Sequence, residues 1–460
     1  MTAQRQEMRS LLVLAAPLVV AQLAQMAMGV VGTMVAGQLG VRQLAAQGLG
    51  ATAFSLVLIM AFGLMAGLDP HVARAVGAGE PQRAGRLFYQ GLWTATLGAL
   101  PLIALIVLSG RALRWMGQDP RLMADVEVYL AWSAIGILPA MWFAASRSFL
   151  SAIGQPAIVM RAALVANVLH VAVCLWLGLG GLGLPRLGMK GIAIASVVGR
   201  VLMVGLLWLG IRYARALGPF RSAFAWPEWP LLRTVLRSGL PLALQFGLEA
   251  SGFALVTFWM GLISPETLAA HEVALNLAAL AFQVPFALAT AAAMRVGYAV
   301  GRRDTAGIGR AGWTALRVGV GYALLSGGLL MLLREPVARL YLPHADPRVL
   351  AVTCQFLAIA AAFQLADGAQ AIGFGVLRGL DDTRVPVLFN LLGFSMLGLP
   401  LGYWQVFVRH RDAAWLWWGL SLALGVVAAS LALRFAWLLR RQRRATAIRG
   451  RPVDNRTARP

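Results

Sequence analysis

Cysteine and lysine are scarce in this sequence of 460 residues, and each shortage excludes a class of protein. The two cysteines, Cys174 and Cys354, lie within long apolar stretches, so they support neither a disulfide framework nor a clustered metal site. Lys190 is the only lysine, so the sequence has no Walker lysine motif and ATP hydrolysis is excluded as an energy source. Five scattered histidines do not supply the convergent site of an intramembrane enzyme. We therefore expect neither enzymatic activity nor a cofactor.

Charge is also scarce, and apolar residues take its place. Charged residues make up 13% of the chain and apolar residues 59%, with a mean hydropathy of +0.73. This composition predicts an integral membrane protein. The formal net charge of +22 would suggest nucleic-acid binding in a soluble chain, but basic excess is also typical of the cytoplasmic loops of membrane proteins. We expect membrane lipid around the chain, and no nucleic acid.

Twelve runs of mostly apolar residues are long enough to cross a membrane as helices, which need about 20 such residues. Helices are the predicted structure because they satisfy their own backbone hydrogen bonds in lipid, which open strands cannot do. The runs centre on residues 11–34, 44–68, 87–110, 128–147, 162–182, 190–211, 238–262, 268–294, 311–333, 349–375, 385–408 and 413–434.

The basic residues between these runs predict the orientation. With a cytoplasmic N-terminus, 27 arginine and lysine residues fall on the cytoplasmic side and 11 on the other. Because basic loops stay in the cytoplasm, both termini are predicted to lie there. The basic end of the chain is interpreted as a topology anchor.

The chain contains an internal repeat at a constant offset of 224 residues. Pro17 pairs with Pro241, Gly37 with Gly261, and residues 44–47 with 268–271. Each half has six spans, so both halves enter the membrane in the same direction, as in parallel-repeat transporters. The predicted domains are an N-lobe over 1–212, a cytoplasmic linker over 213–232, a C-lobe over 233–439 and a basic cytoplasmic tail over 440–460.

With the halves aligned, short strings at residues 32–37, 70–73, 269–276 and 377–383 resemble the multidrug and toxic compound extrusion (MATE) family, NorM-type branch. The resemblance covers nearly the whole chain. It implies an all-α membrane protein whose two six-helix lobes form a V. It also implies a secondary active antiporter in the bacterial inner membrane, monomeric, exporting mostly cationic, amphipathic drugs in exchange for Na⁺ or H⁺. The alternative is a lipid-linked saccharide flippase of the same superfamily, which would want a cationic cavity and usually additional spans.

Carboxyl groups in mid-membrane are the candidate coupling site, because a charge there is costly and marks function. By helical rise, Glu249 lies about 18 Å from Arg237 and Asp367 about 16 Å from Arg378, so both are near mid-depth. Two carboxyl groups at one depth can share a proton or a sodium ion. We predict that Glu249 and Asp367 couple transport, and that they are the metal ligands if the ion is Na⁺. The alternative is that each only hydrogen-bonds a neighbouring helix.

Polar residues at helical spacing are candidate supporting groups. Gln245 precedes Glu249 by four residues, and Gln364 and Gln370 flank Asp367 by three on each side. These residues either line the ion site or hold helices together, and the sequence favours neither role.

Four more polar residues are further candidates. Glu272, with Asn276 four residues on, lies about 35 Å from Arg295 and hence near the outer surface, so a structural role is favoured for it. Asn167 and His170 lie on the fifth span, where the family commonly has asparagines. A lone histidine there is more often a packed polar group than a proton carrier.

The first half lacks the carboxylate that the NorM-type branch usually carries. Gly32 stands at the position of that aspartate, and Gln25 aligns with Glu249. We therefore predict coupling through the C-lobe alone, with His170, Asn167 and Asp69 as rival sites. Arg200 also lies mid-span, and the sequence identifies no partner for it.

Overall fold

The computed structural model describes residues 3–115, 119–180, 186–220, 224–343 and 346–449. Within these ranges the chain is helical, without strands, and twelve helices are long and apolar enough to cross a membrane, as predicted. They are α1 (Ala3–Leu39), α2 (Val41–Gly77), α3 (Pro81–Trp115), α4 (Pro120–Ala152), α5 (Pro156–Leu179), α6 (Met189–Tyr213), α7 (Trp229–Ile263), α8 (Pro265–Gly301), α9 (Thr305–Tyr341), α10 (Pro347–Gly379), α11 (Arg384–Val408) and α12 (Ala414–Arg444).

The helices are longer than the apolar runs that predicted them, because backbone hydrogen bonding continues through polar residues beyond the hydrocarbon. The paired prolines of the repeat, Pro17 and Pro241, both lie inside helices, where each removes one backbone hydrogen bond. Helix α11 contains two π-helical segments, Leu391–Gly398 and Trp404–Val408. Such segments are frequent at functional sites.

Each lobe has its own apolar core, and the first helix of each lobe also reaches into the other. The N-lobe core draws on α1 to α6 and includes Val235 and Ala243 of α7. One of two C-lobe clusters includes Leu11 and Ala15 of α1. The beginning of α1 therefore packs in the C-lobe core, and the beginning of α7 packs in the N-lobe core.

We call the side of the molecule where α1 begins and α12 ends the linker side, and the opposite side the far side. The connection from α6 to α7 lies on the linker side and contains a short 3-10 helix, Arg215–Phe220. Gln90 of α3 holds this connection, because its amide nitrogen donates to the carbonyl of Trp226 (2.8 Å) and its amide oxygen accepts from the N–H of Glu228 (2.9 Å).

The lobes touch through glycines from mid-depth to the linker side. A Cβ atom on Gly239 of α7 would lie 2.2 Å from the backbone oxygen of Leu64, and one on Gly301 of α8 would lie 2.2 Å from that of Arg74. Small residues allow helix backbones to approach this closely. Among the described residues, close glycine contacts between the lobes are confined to this half.

Candidate ion-coupling site

Glu249 of α7 and Asp367 of α10 lie close enough to interact electrostatically. One helical turn toward the far side, Phe253 and Phe363 pack edge to face with their ring centroids 6.1 Å apart. Because α7 and α10 run in opposite directions, this contact aligns the two carboxyl groups at one depth. In the described part of the chain, neither carboxyl group has a hydrogen-bonding partner or an arginine. The structure thus brings together the two residues that the sequence singled out.

A small cavity of about 10 Å³ adjoins Asp367. It is lined by Gln364 of α10 and by Tyr322 and Ser326 of α9, which the sequence analysis missed. The Ser326 hydroxyl donates to the Gln364 amide oxygen at 2.6 Å. Because a single water needs roughly 10–15 Å³, the space beside Asp367 matches one water or one small ion.

Two buried glutamines beside the carboxylates have unpaired side-chain atoms. In the described chain, both amide atoms of Gln370 and the amide oxygen of Gln245 are buried without a hydrogen-bonding partner. Leaving such a group unpaired costs about 1–3 kcal/mol. Carboxylate and amide oxygens are the ligands that hard cations prefer. The donor set therefore fits Na⁺, and the carboxyl pair alone fits H⁺.

Glu272 and Asn276 lie apart from this pair, on an exposed face of α8. The side-chain amide of Asn276 donates to the backbone oxygen of Glu272 at 3.1 Å, within the same helix. The structure therefore does not bring these two candidates to Asp367.

Asn167 and His170 of α5 join helices inside the N-lobe. The Asn167 amide donates to the carbonyl of Ala24 on α1 at 2.6 Å. The Nδ1 atom of the fully buried His170 donates to the carbonyl of Ala195 on α6 at 3.0 Å. Both contacts suit helix packing.

Arg200, for which the sequence identified no partner, lies over an aromatic ring. Its guanidinium carbon is 4.5 Å from the ring centroid of Phe54 on α2, a cation–π contact within the N-lobe. On α1, a Cβ atom on Gly32 would lie 3.2 Å from the side-chain nitrogen of Gln47 on α2. The position where the family has an aspartate therefore faces an amide.

Asp69, the rival coupling site, lies instead in a buried contact between the lobes. Its carboxylate accepts a hydrogen bond from Ser148 (2.5 Å) and lies 3.4 Å from the guanidinium of Arg378 on α10. Both side chains of this ion pair are almost fully buried. The contact joins the two lobes on the linker side, and we call this region the linker-side closure.

Further polar contacts complete this linker-side closure. Arg295 of α8 donates two hydrogen bonds to Glu7 of α1, at 2.8 and 2.7 Å. Arg74 lies 3.7 Å from Asp381, which also accepts a hydrogen bond from Ser238 at 2.6 Å. These pairs join residues far apart in the sequence, so no local pattern could have matched the partners.

The comparisons with known proteins agree with this architecture. The MatE family profile matches residues 17–176 and 241–404, two segments that begin at the paired prolines of the internal repeat. The chain belongs to the MATE family. This MATE protein is therefore a membrane transporter and not an enzyme, and the predicted family is confirmed.

Curated relatives match over most of their length. This transporter is 36% identical over 450 residues to the probable multidrug resistance protein NorM of Mesorhizobium japonicum, covering 95% of this chain and 94% of the relative. It is also 36% identical over 429 residues to the multidrug resistance protein NorM of Burkholderia vietnamiensis, covering 92% of each.

Solved MATE structures share the fold. The eukaryotic MATE transporter AtDTX14 superposes with a TM-score of 0.87 at 21% identity, covering 96% of this chain and 99% of that one. An outward-facing multidrug resistance MATE transporter superposes with a TM-score of 0.83 at 18% identity, covering 96% and 99%. The predicted fold class, two parallel six-helix lobes, is confirmed.

Proposed function

We propose that this MATE transporter is a secondary active multidrug antiporter that exports cationic, amphipathic drugs in exchange for Na⁺ or H⁺. The observation that carries the proposal is the Glu249 and Asp367 pair, which interacts electrostatically and has no arginine partner among the described residues. The names of the NorM relatives support drugs as the substrates. No cofactor enters this mechanism.

The drug and the ion compete for the same carboxyl pair. A buried negative charge is costly without a counter-charge, so the pair holds a proton, a sodium ion or a cationic drug. Ion entry from the far side then releases the drug there. A ligand moves a two-state protein only by its differential affinity for the states, so ion binding must favour one arrangement of the lobes.

We also propose the topology that the basic residues predict, with the linker side in the cytoplasm and the domain boundaries given above. The ion pairs Asp69–Arg378 and Arg74–Asp381 then form a cytoplasmic closure, which must open before the next drug enters. The transporter works as a monomer in the bacterial inner membrane, because each chain holds both lobes and the carboxyl pair.

The test is drug transport by the purified full chain in proteoliposomes. A fluorescent cationic dye is followed under an imposed sodium gradient, then under an imposed pH gradient, each with and without an ionophore that collapses it. We expect one gradient to drive the dye and its ionophore to stop it. Dye movement that follows neither gradient would overturn the proposal.

A further inference from the structure

Arg147 of α4 is a buried cation that the coupling mechanism does not use. The residue is only 4% exposed. In the described part of the chain its guanidinium makes no hydrogen bond and no ion pair, and its Nε atom is buried without a partner. The guanidinium carbon lies 5.9 Å from the ring centroid of Phe62 on α2. A buried charge without a counter-charge is costly, and within a membrane such a charge marks function.

Arg147 lies beside the linker-side closure. The next residue of α4, Ser148, donates the 2.5 Å hydrogen bond to Asp69. Among the described residues, Asp69 is the one acid that acts electrostatically on Arg147, and Arg378 of the C-lobe also lies within electrostatic reach. Two buried guanidinium groups therefore share one carboxylate, and this group of three carries one excess positive charge.

The three charged groups divide between the lobes. Asp69 and Arg147 both belong to the N-lobe, on α2 and α4, whereas Arg378 belongs to α10 of the C-lobe. With the linker side closed, Asp69 lies 3.4 Å from Arg378, and its Oδ2 atom is buried without a hydrogen bond in the described chain. When the linker side opens, Arg378 moves away with the C-lobe, but Arg147 and Ser148 stay beside Asp69.

We propose that Asp69 changes partners during transport, from Arg378 in the closed arrangement to Arg147 in the open one. Arg147 is then a positioning residue, which neutralises Asp69 while the lobes are apart. Without it, opening would leave a carboxylate in the N-lobe interior with no counter-charge, and such a state is strongly disfavoured. The inference rests on the proposed function only in requiring that the linker side opens.

The experiment measures the distance between two spin labels on the full chain in lipid, without an ion gradient. The labels are placed at Gln82 of α3 and Arg302, just after α8, with Cys174 and Cys354 replaced by alanine. We expect the wild type to populate a short and a long distance. Arg147→Met should lower the long-distance fraction about tenfold, an effect between those of an exposed and a buried ion pair. Arg147→Lys keeps the charge and should restore this fraction.

Two further variants test whether the carboxylate is the reason. Arg200→Met is the matched control, because Arg200 is another N-lobe arginine over a phenylalanine ring, and no carboxyl group among the described residues acts on it. It should leave the distances unchanged. In an Asp69→Asn background, Arg147→Met should have a smaller effect than in the wild type, because no carboxylate is left for Arg147 to neutralise.

Four results would each overturn the proposal. They are an unchanged long-distance fraction in Arg147→Met, no recovery in Arg147→Lys, an equal loss in Arg200→Met, and a loss in the Asp69→Asn background as large as in the wild type. The last result would mean that Arg147 acts only by repelling Arg378. Because the distance is read without drug or ion gradient, any of these failures leaves coupling by the carboxyl pair standing.

Discussion

Two buried aspartates among the described residues, Asp69 and Asp367, differ in the partner of the carboxyl group. Asp69 has Arg378 and a serine hydroxyl, whereas the one charged group within electrostatic reach of Asp367 in the described part of the chain is another carboxyl group, that of Glu249. A buried carboxylate with an arginine is already neutralised, while the Asp367 and Glu249 pair requires a mobile cation. At the scale of single residues, this difference separates a structural contact from an ion site.

We predict that Asp367→Asn and Glu249→Gln each abolish gradient-driven dye efflux while the protein still inserts. The amides keep the side-chain shape but neither titrate nor supply a negative charge. Efflux from proteoliposomes measures the effect, and Glu272→Gln, at an exposed carboxyl group away from the pair, should transport normally. Full efflux in either pair variant would remove that residue from the coupling mechanism.

Because the Gln370 amide is buried and unpaired, we predict that replacing it lowers ion affinity without lowering the stability of the protein. Gln370→Leu relieves a buried unpaired group, so the melting temperature should stay unchanged or rise. Apparent ion affinity should fall about tenfold, as is common when a group supporting a metal site is lost. Gln47→Leu makes the matched change at a buried, partly unpaired amide of the N-lobe and should leave ion affinity intact. Lower stability with unaltered ion affinity in Gln370→Leu would assign this amide a purely structural role.

At the scale of helices, apolar runs predicted the number and order of the spans, and helical spacing predicted which side chains lie beside each carboxylate. The contact between Asp69 and Arg378 was not predictable, because it depends on how two lobes dock rather than on local pattern. Tyr322 and Ser326 were missed because they lie on a different helix, α9, and only packing within the C-lobe brings them to Asp367. The partner of Arg200 is Phe54. The sequence did not identify it because a phenylalanine carries no charge.

We predict that Asp69→Asn opens the linker side. The substitution leaves Arg378 buried without its counter-charge. Breaking a buried ion pair typically costs about 3–5 kcal/mol, and here this destabilises only the arrangement in which the linker side is closed. Spin labels at Gln82 of α3 and Arg302, just after α8, should move apart. Glu335→Gln breaks the exposed pair with Arg339 and should leave that distance unchanged. An unaltered distance in Asp69→Asn would mean that the ion pair does not hold the lobes together.

At the scale of the whole molecule, the basic residues predict which way it lies in the membrane. A membrane-impermeant maleimide added to intact cells should label Arg348→Cys, at the far-side start of α10, but not Gln82→Cys, in a background with Cys174 and Cys354 replaced by alanine. After the cells are opened, both should react. Labelling of Gln82→Cys from outside would reverse the proposed topology.

The two lobes share a fold, but only one carries an ion site in our proposal. In the N-lobe, Gly32 offers no side-chain ligand, and the Gln25 amide donates to its own helix at Ala21 (3.5 Å). His170 packs between α5 and α6, and Asp69 belongs to the linker-side closure. Ion exchange in the C-lobe must then drive the transition, and the N-lobe follows as a packed body.

We therefore predict that His170→Gln leaves the ion dependence of efflux unchanged, whereas Asp367→Asn removes it. A neutral amide at position 170 keeps a hydrogen-bond donor but cannot carry a proton across the physiological range. Asp69→Asn should alter the rate, through the closure, but efflux should still collapse with the ion gradient. The measurement is the fraction of dye efflux lost when the gradient is dissipated. Coupling lost in His170→Gln or Asp69→Asn but kept in Asp367→Asn would place the ion site in the N-lobe instead.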